Sequence, residues 1–223
     1  MHQIQKILLK RLLISNNQKY SLLTQGYGFE DNVVFHLKQL LNKHFIEKQK
    51  TGYKIITKGV KQITRYDLEK LENTGFKTFF VGFVCKSGKE YLVKEHPASK
   101  TNFYNLPSGK PRFGESIEKA LTEIFCDNTG LKLKYKDSRY LALHLKTVKT
   151  SKGEVLFDDA LAVYETAIDE SQKLKMKLNK QLKWMPFDEI KKLPNRWPEI
   201  DILIIDKNFT NFLSYEFMSD YIL

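Results

Sequence analysis

Two groups of side chains in this sequence are of types that handle phosphate. Lys48, Lys50 and Lys54 surround the turn Lys48-Gln49-Lys50-Thr51-Gly52, and a helical stretch upstream carries Asn32, His36, Lys38, Gln39 and Lys43. Ammonium groups contact phosphate oxygens, while amides and imidazole also reach base edges. The second group lies in GKPRFGE, where Lys110 and Arg112 precede Glu115. Such cations can bind phosphate oxygens. Cys85 and Cys126 have neither metal-type spacing nor partner histidines, so two reduced thiols are expected, with no disulfide and no zinc.

The distribution of charge separates these groups. Of the net +11, residues 1–70 hold +8, from 13 Lys and Arg against 5 Asp and Glu, and residues 71–223 hold the remaining +3. A basic module beside a nearly balanced one points to a polyanion partner for the first. No apolar run approaches the roughly 20 residues a membrane span needs. The opening MHQIQKILLKRLLISNNQ has charges inside its apolar stretch and no small-residue cleavage site, so the expected location is the cytoplasm.

In the first seventy residues, Ile4, Ile7, Leu8, Leu12 and Leu13 recur at helical spacing. Tyr20 to Leu23 reads as a short second helix, and Asp31 as the N-cap of a third that carries Val33, Val34, Leu37, Leu40 and Leu41. A hairpin follows over Phe45 to Ile56, and Thr57 is expected to cap a last helix through KGVKQITRYDLEKLE. The string VVFHLKQLLNKHFIEKQKTGYKIITKG resembles the recognition helix, wing and exit of winged helix-turn-helix proteins. That resemblance implies double-stranded DNA as partner, with His36, Lys38, Lys48, Lys50 and Lys54 at the duplex. It also implies a homodimer reading two half-sites.

A linker is expected over 71–76 and a second domain over 77–223. Strands are predicted at Phe79–Cys85, Tyr91–Val93, Tyr140–Leu145 and Leu161–Tyr164, a helix from about Ser116 to Asn128 closed by Gly130, and a further helix over Asp188–Leu193. Strands alternating with helices indicate an α/β or α+β architecture. The segment GKPRFGESIEKALTEIFCDNTGL resembles the Nudix box, G-x5-E-x7-R-E-U-x-E-E-x-G-U, where U is an apolar residue. Gly109, Glu115, Phe125, Gly130 and Leu131 fall at its spacing, and Leu106-Pro107 and Trp184 to Glu189 are also similar to the family. The implied fold is an α/β/α sandwich with a mixed sheet.

In that family the carboxylates of the box hold magnesium or manganese, and here they are largely missing. Glu123 stands at the arginine position, Ile124 at a glutamate position, and Asp127 and Asn128 at the final acidic pair. Glu115 and Asp127 are what is left, a thin set for a hard divalent cation. In the family, acids outside the box sometimes complete the site, which draws in Asp158 and Asp159 beside Lys110 and Arg112. Two functions follow. The first is a transcriptional regulator that needs no metal and senses a nucleoside-diphosphate-linked small molecule. Its domain order is the reverse of that usual among Nudix regulators. The second is a Nudix hydrolase that uses Mg2+ or Mn2+ on Glu115 and Asp127 and carries an accessory winged helix.

Overall fold

A computed structural model describes residues 1–72, 77–96 and 102–218. The chain divides into two compact units, Met1–Gly75 and Phe76–Leu223. Most of the linker expected at 71–76 lies outside the described residues.

In the first unit, α1 (Gln3–Ile14) opens with a capping box. The imidazole of His2 accepts from the Ile4 amide at 3.3 Å, and the Gln5 side chain accepts from the His2 amide at 3.3 Å. Leu8, Leu9 and Leu12 form the helix's fully buried face. Next come α2 (Tyr20–Leu23) and a 3-10 turn, Phe29–Asp31. Asp31 does not cap the third helix. Its carboxylate accepts from the Gly28 amide at 2.7 Å and closes that turn. The N-cap of α3 (Val33–Asn42) is Asn32, in the left-handed region at φ 48° and ψ 41°, a conformation asparagine tolerates better than most residues.

The hairpin of β1 (Ile46–Lys48) and β2 (Tyr53–Ile55) is antiparallel, and α4 (Thr57–Ile63) follows it. Gln18 pairs with Tyr53 through reciprocal backbone bonds of 3.0 and 2.8 Å, and the Asn16 side chain accepts from the Ile55 amide at 3.0 Å. The segment after α1 is thereby stitched to the hairpin as a third strand one residue long. α4 is less than half the length predicted from KGVKQITRYDLEKLE. The Asp67 carboxylate takes the amides of Glu69 and Lys70 at 2.9 and 2.8 Å. Such side-chain bonds offer the backbone an alternative to the helix.

The second unit is built on one mixed sheet. Its strands are β3 (Thr78–Ser87), β4 (Glu90–His96), β5 (Phe103–Asn105), β6 (Ser108–Gly109), β7 (Ser138–Lys149), β8 (Val155–Ala167), β9 (Leu182–Pro186) and β10 (Phe212–Met218). The order is β10-β7-β8-β3-β4-β5, with β6 also on β3 and β9 also on β4. β8 runs parallel to β3, and β10 parallel to β7. β10 was not anticipated from the sequence, and β7 and β8 run well past the apolar segments that announced them.

α5 (Ile117–Thr129) begins at Ser116, whose hydroxyl accepts from the Lys119 amide, and ends at Gly130 with φ 71°. Its Ala120, Leu121 and Phe125 pack on Val81, Phe83 and Cys85 of β3. The opposite face of the sheet, with Val84, Ala142 and Val163, is covered by Ile190 of α7 (Phe187–Ile190), Ile200 of α8 (Pro198–Ile200) and the π-helical turn Asp201–Ile205. The short helix α6 (Glu170–Lys175) precedes β9 and buries none of its residues. The unit is thus an α/β/α sandwich. β3 and β4 pair only beside their turn, at Lys86↔Tyr91 and Ser87↔Glu90. Beyond it they diverge, β3 towards β6 and β4 towards β9 and β5.

Candidate functional site

The divergence of β3 from β4 opens a cavity of about 300 Å³ on the face opposite α5. The registers bring Lys146 of β7 opposite Asp159 of β8, and Asp159 opposite Thr78 of β3. All three line the cavity, with Phe80, Phe157 and Trp197 as its aromatic walls. Ser108 and Lys110 also face it, while Gly109 between them faces α5, as strand alternation requires. The Lys110 ammonium lies 5.3 Å from the centre of the Phe80 ring.

The deepest charges here are a pair. Lys146 Nζ donates to Glu199 Oε1 at 2.5 Å and sits 4.0 Å from the centre of the Trp197 ring. Lys146 is 7% exposed and Glu199 2%, and Glu199 Oε2 has no partner among the described residues. Burial holds the Asp159 carboxyl above the usual carboxylate range, against the opposing pull of Lys146 and Lys110. Burial likewise lowers the Lys94 ammonium, and it lowers His96, where Lys94 adds to the effect. Two carboxyl groups and three lysine amines therefore share this space, where each interaction is less screened than in water.

Of the four ligand residues expected from the sequence, the structure brings Lys110 and Asp159 together in this cavity. Arg112 and Asp158 lie elsewhere. Arg112 is exposed and pairs with Glu123 at 3.3 Å. Asp158 points to the other face of β8, where it accepts from Lys77 and from the Thr147 hydroxyl. Adjacent strand residues face opposite ways, so Asp158 and Asp159 were never available as a pair. Lys94, Lys146, Trp197 and Glu199 were missed. One signal was readable: in Ala142-x-His144-x-Lys146-x-Val148 a lysine holds an inward position of an apolar alternation, which requires a buried counterion.

The box segment itself is closed. A Cβ at Gly109 would stand 2.9 Å from Ile124 Cγ1, so that side chain fills the space beside the loop. Asn128 is buried and donates from Nδ2 to the Ile124 carbonyl at 2.7 Å. Asp127 is exposed to solvent. Glu115 accepts from the Arg112 amide at 2.8 Å, and this bond holds its carboxyl below the usual range. Among the described residues, no group of three or more His, Cys, Asp or Glu converges to hold a metal.

Because the folded-state pKa of Glu115 is depressed, its contribution to stability is present above the unfolded-state value and is lost as pH falls through the folded one. Glu115→Gln should therefore lower Tm at pH 7, with the gap closing towards pH 3. A gap that persists at acid pH would locate the effect in packing, not charge.

In the first unit, Lys38, Lys48 and Lys50 are exposed and Lys54 is half-buried. His36 is not on the outer face. It is 8% exposed, stacks on His2 with ring centres 4.3 Å apart, and is held below the usual histidine range by burial and by His2. The outward positions at the start of α3 belong instead to Val34 and Phe35.

No family model and no curated protein matches the sequence. The fold does resemble solved structures. A mutator MutT protein from Bacillus halodurans aligns with a TM-score of 0.50 at 16% identity, over 64% of this chain and 92% of that one. The Nudix domain of NrtR from Shewanella oneidensis, solved with ADP-ribose, gives 0.47 at 14% identity, over 66% and 96%. A Nudix hydrolase from Nitrosomonas europaea gives 0.42 at 21% identity, over 59% and 88%. At such identities the likeness is one of fold, and it agrees with the mixed sheet between α5 and the α8 layer: the chain contains a Nudix-fold domain.

Proposed function

We propose that this protein is a DNA-binding regulator whose Nudix-fold unit senses a nucleoside-diphosphate-linked ligand and leaves it intact. One observation carries the reading. Lys110 enters an aromatic-walled cavity, while the α5 positions that the Nudix box gives to metal-binding acids hold Ile124, packed on Gly109, and Asn128, bonded within its own helix. Aromatic walls suit a base, and lysines suit the diphosphate. No metal is needed for that recognition. The first unit supports the DNA half through its helix order, its stitched hairpin and the exposed Lys38, Lys48 and Lys50. A homodimer on two half-sites is part of the proposal.

ADP-ribose, sugar nucleotides and dinucleotides should be screened against the full chain with Mg2+ or Mn2+ present. At least one should raise Tm without being hydrolysed, since a native-state ligand stabilises by mass action. Lys110→Ala should weaken that binding about tenfold, the scale of one charge-assisted hydrogen bond. The hydrolase reading rests on Glu115 Oε1, buried without a partner among the described residues. Metal-dependent turnover abolished by Glu115→Gln or Asp127→Ala would replace the sensor with that enzyme.

For DNA, Lys48→Gln with Lys50→Gln and Lys54→Gln should weaken binding to all duplexes alike. The slope of log affinity against log salt should flatten by about 0.9 for each phosphate that is no longer neutralised. An unchanged slope removes the hairpin from the interface.

A further inference from the structure

Resting on the DNA-binding reading, we infer that α3 reads thymine: the side chains of Val34 and Phe35 form an apolar surface for the C5-methyl groups that thymine presents in the major groove.

The starting point is an outward surface whose chemistry runs against its surroundings. Val34 is 51% exposed and Phe35 49%, and both are in the first turn of α3. Lys38 is four residues beyond Val34 and three beyond Phe35, so the three share one face of the helix. The helix has its own core stripe, Val33, Leu37 and Leu40, so Val34 and the part of Phe35 that does not meet the His36 ring are left facing outward. Fully exposed Phe29 lies just before the helix.

The charge around this face selects its partner. Lys38 shares the helix face, Lys19, Lys43, Lys48 and Lys50 are exposed elsewhere on the unit, and exposed Glu30 is the acid beside Val34; over residues 1–70 the balance is a net +8. A second copy of the same unit would meet this face with like charge. A phosphate backbone complements it, and what a duplex offers an apolar side chain between its phosphates is the thymine methyl. With His36 buried against His2, the apolar pair, not an imidazole, stands at the N-terminal end of the helix, the end that reaches base edges when a recognition helix enters the groove.

The test uses the full chain and four 30-base-pair duplexes: alternating dA-dT, the same with dU for dT, alternating dG-dC, and the same with 5-methyl-dC for dC. Within each pair only the C5-methyl changes. Replacing dT by dU should weaken binding about fifteenfold, from roughly fourfold for each of two buried methyls. Methylating dC should strengthen binding in the same sense. Val34→Ser with Phe35→Ser should bind the dT and dU duplexes equally, at the level of wild type on dU. Equal affinity of wild type for dT and dU overturns the inference and leaves DNA binding standing. So does a dT preference that survives in the variant, which would belong to duplex deformability. Failure to bind any of the four at low salt overturns both this inference and the DNA-binding reading.

Discussion

Glu199→Ala should lower the unfolding free energy of the second unit by about 3 kcal/mol. The carboxylate is 2% exposed and its partner Lys146 is 7% exposed, so its removal leaves a buried ammonium on the ring of Trp197 without its hydrogen-bonded carboxylate. Asp159 lies opposite Lys146 on the neighbouring strand but has no hydrogen bond to it, so it replaces only part of what Glu199 supplies. Removing one member of a buried pair is far more damaging than removing both. Lys146→Met combined with Glu199→Leu should accordingly restore most of the stability. Chemical denaturation of the single and double variants checks this. Equal stability of the Ala variant and wild type would mean that the pair is fully hydrated, contrary to its burial.

Gly59→Ala is the second large effect, and it sets two forces of opposite sign against each other. Alanine is favoured over glycine inside a helix by about 1 kcal/mol. But a Cβ at position 59 would collide with the carbonyl oxygen of Phe45 and lie 2.9 Å from Ile55 Cγ1. The oxygen is backbone and is itself held by the Ile56 amide at 3.2 Å, so it cannot rotate away. Overpacking of this kind costs up to about 3 kcal/mol, leaving a net destabilisation of about 2 kcal/mol. Thermal unfolding of Gly59→Ala should show the first unit melting earlier. A variant as stable as wild type would mean that α4 can shift away from the hairpin freely.

What could be read from the sequence and what could not divide along the range of the interactions. α5 was readable because its signals are local: Ser116 caps it, Gly130 ends it in the left-handed region, and its apolar spacing is helical. The mixed sheet was anticipated through the box resemblance, and strands that alternate over short spans were found. The helix predicted at α4 is too long because the bonds of the Asp67 carboxylate to the Glu69 and Lys70 amides close a separate turn within a pattern that still looks helical. Lys110 and Asp159 were singled out and share the cavity. Arg112 and Asp158 were singled out and do not, since loop geometry and strand parity decide where a side chain points. Lys146 and Glu199 are 53 residues apart, and no local pattern pairs them.

Parallel pairing has a further consequence, in time and not in space. In the second unit Thr78 pairs with Asp159, 81 residues on, and Leu143 with Phe212, 69 residues on. The widest backbone pairing of the first unit joins Gln18 to Tyr53, 35 residues apart, and its hairpin closes across fewer than ten. Distant pairings require loop closure before they return any stabilisation, so they form slowly. During synthesis every strand and helix of the first unit has emerged before β3 begins, and that unit can fold while the second is still a growing chain. After dilution from denaturant the same difference should separate into two phases, a fast one from the helical unit and a slow one in which β8 waits for β3 and β10 for β7.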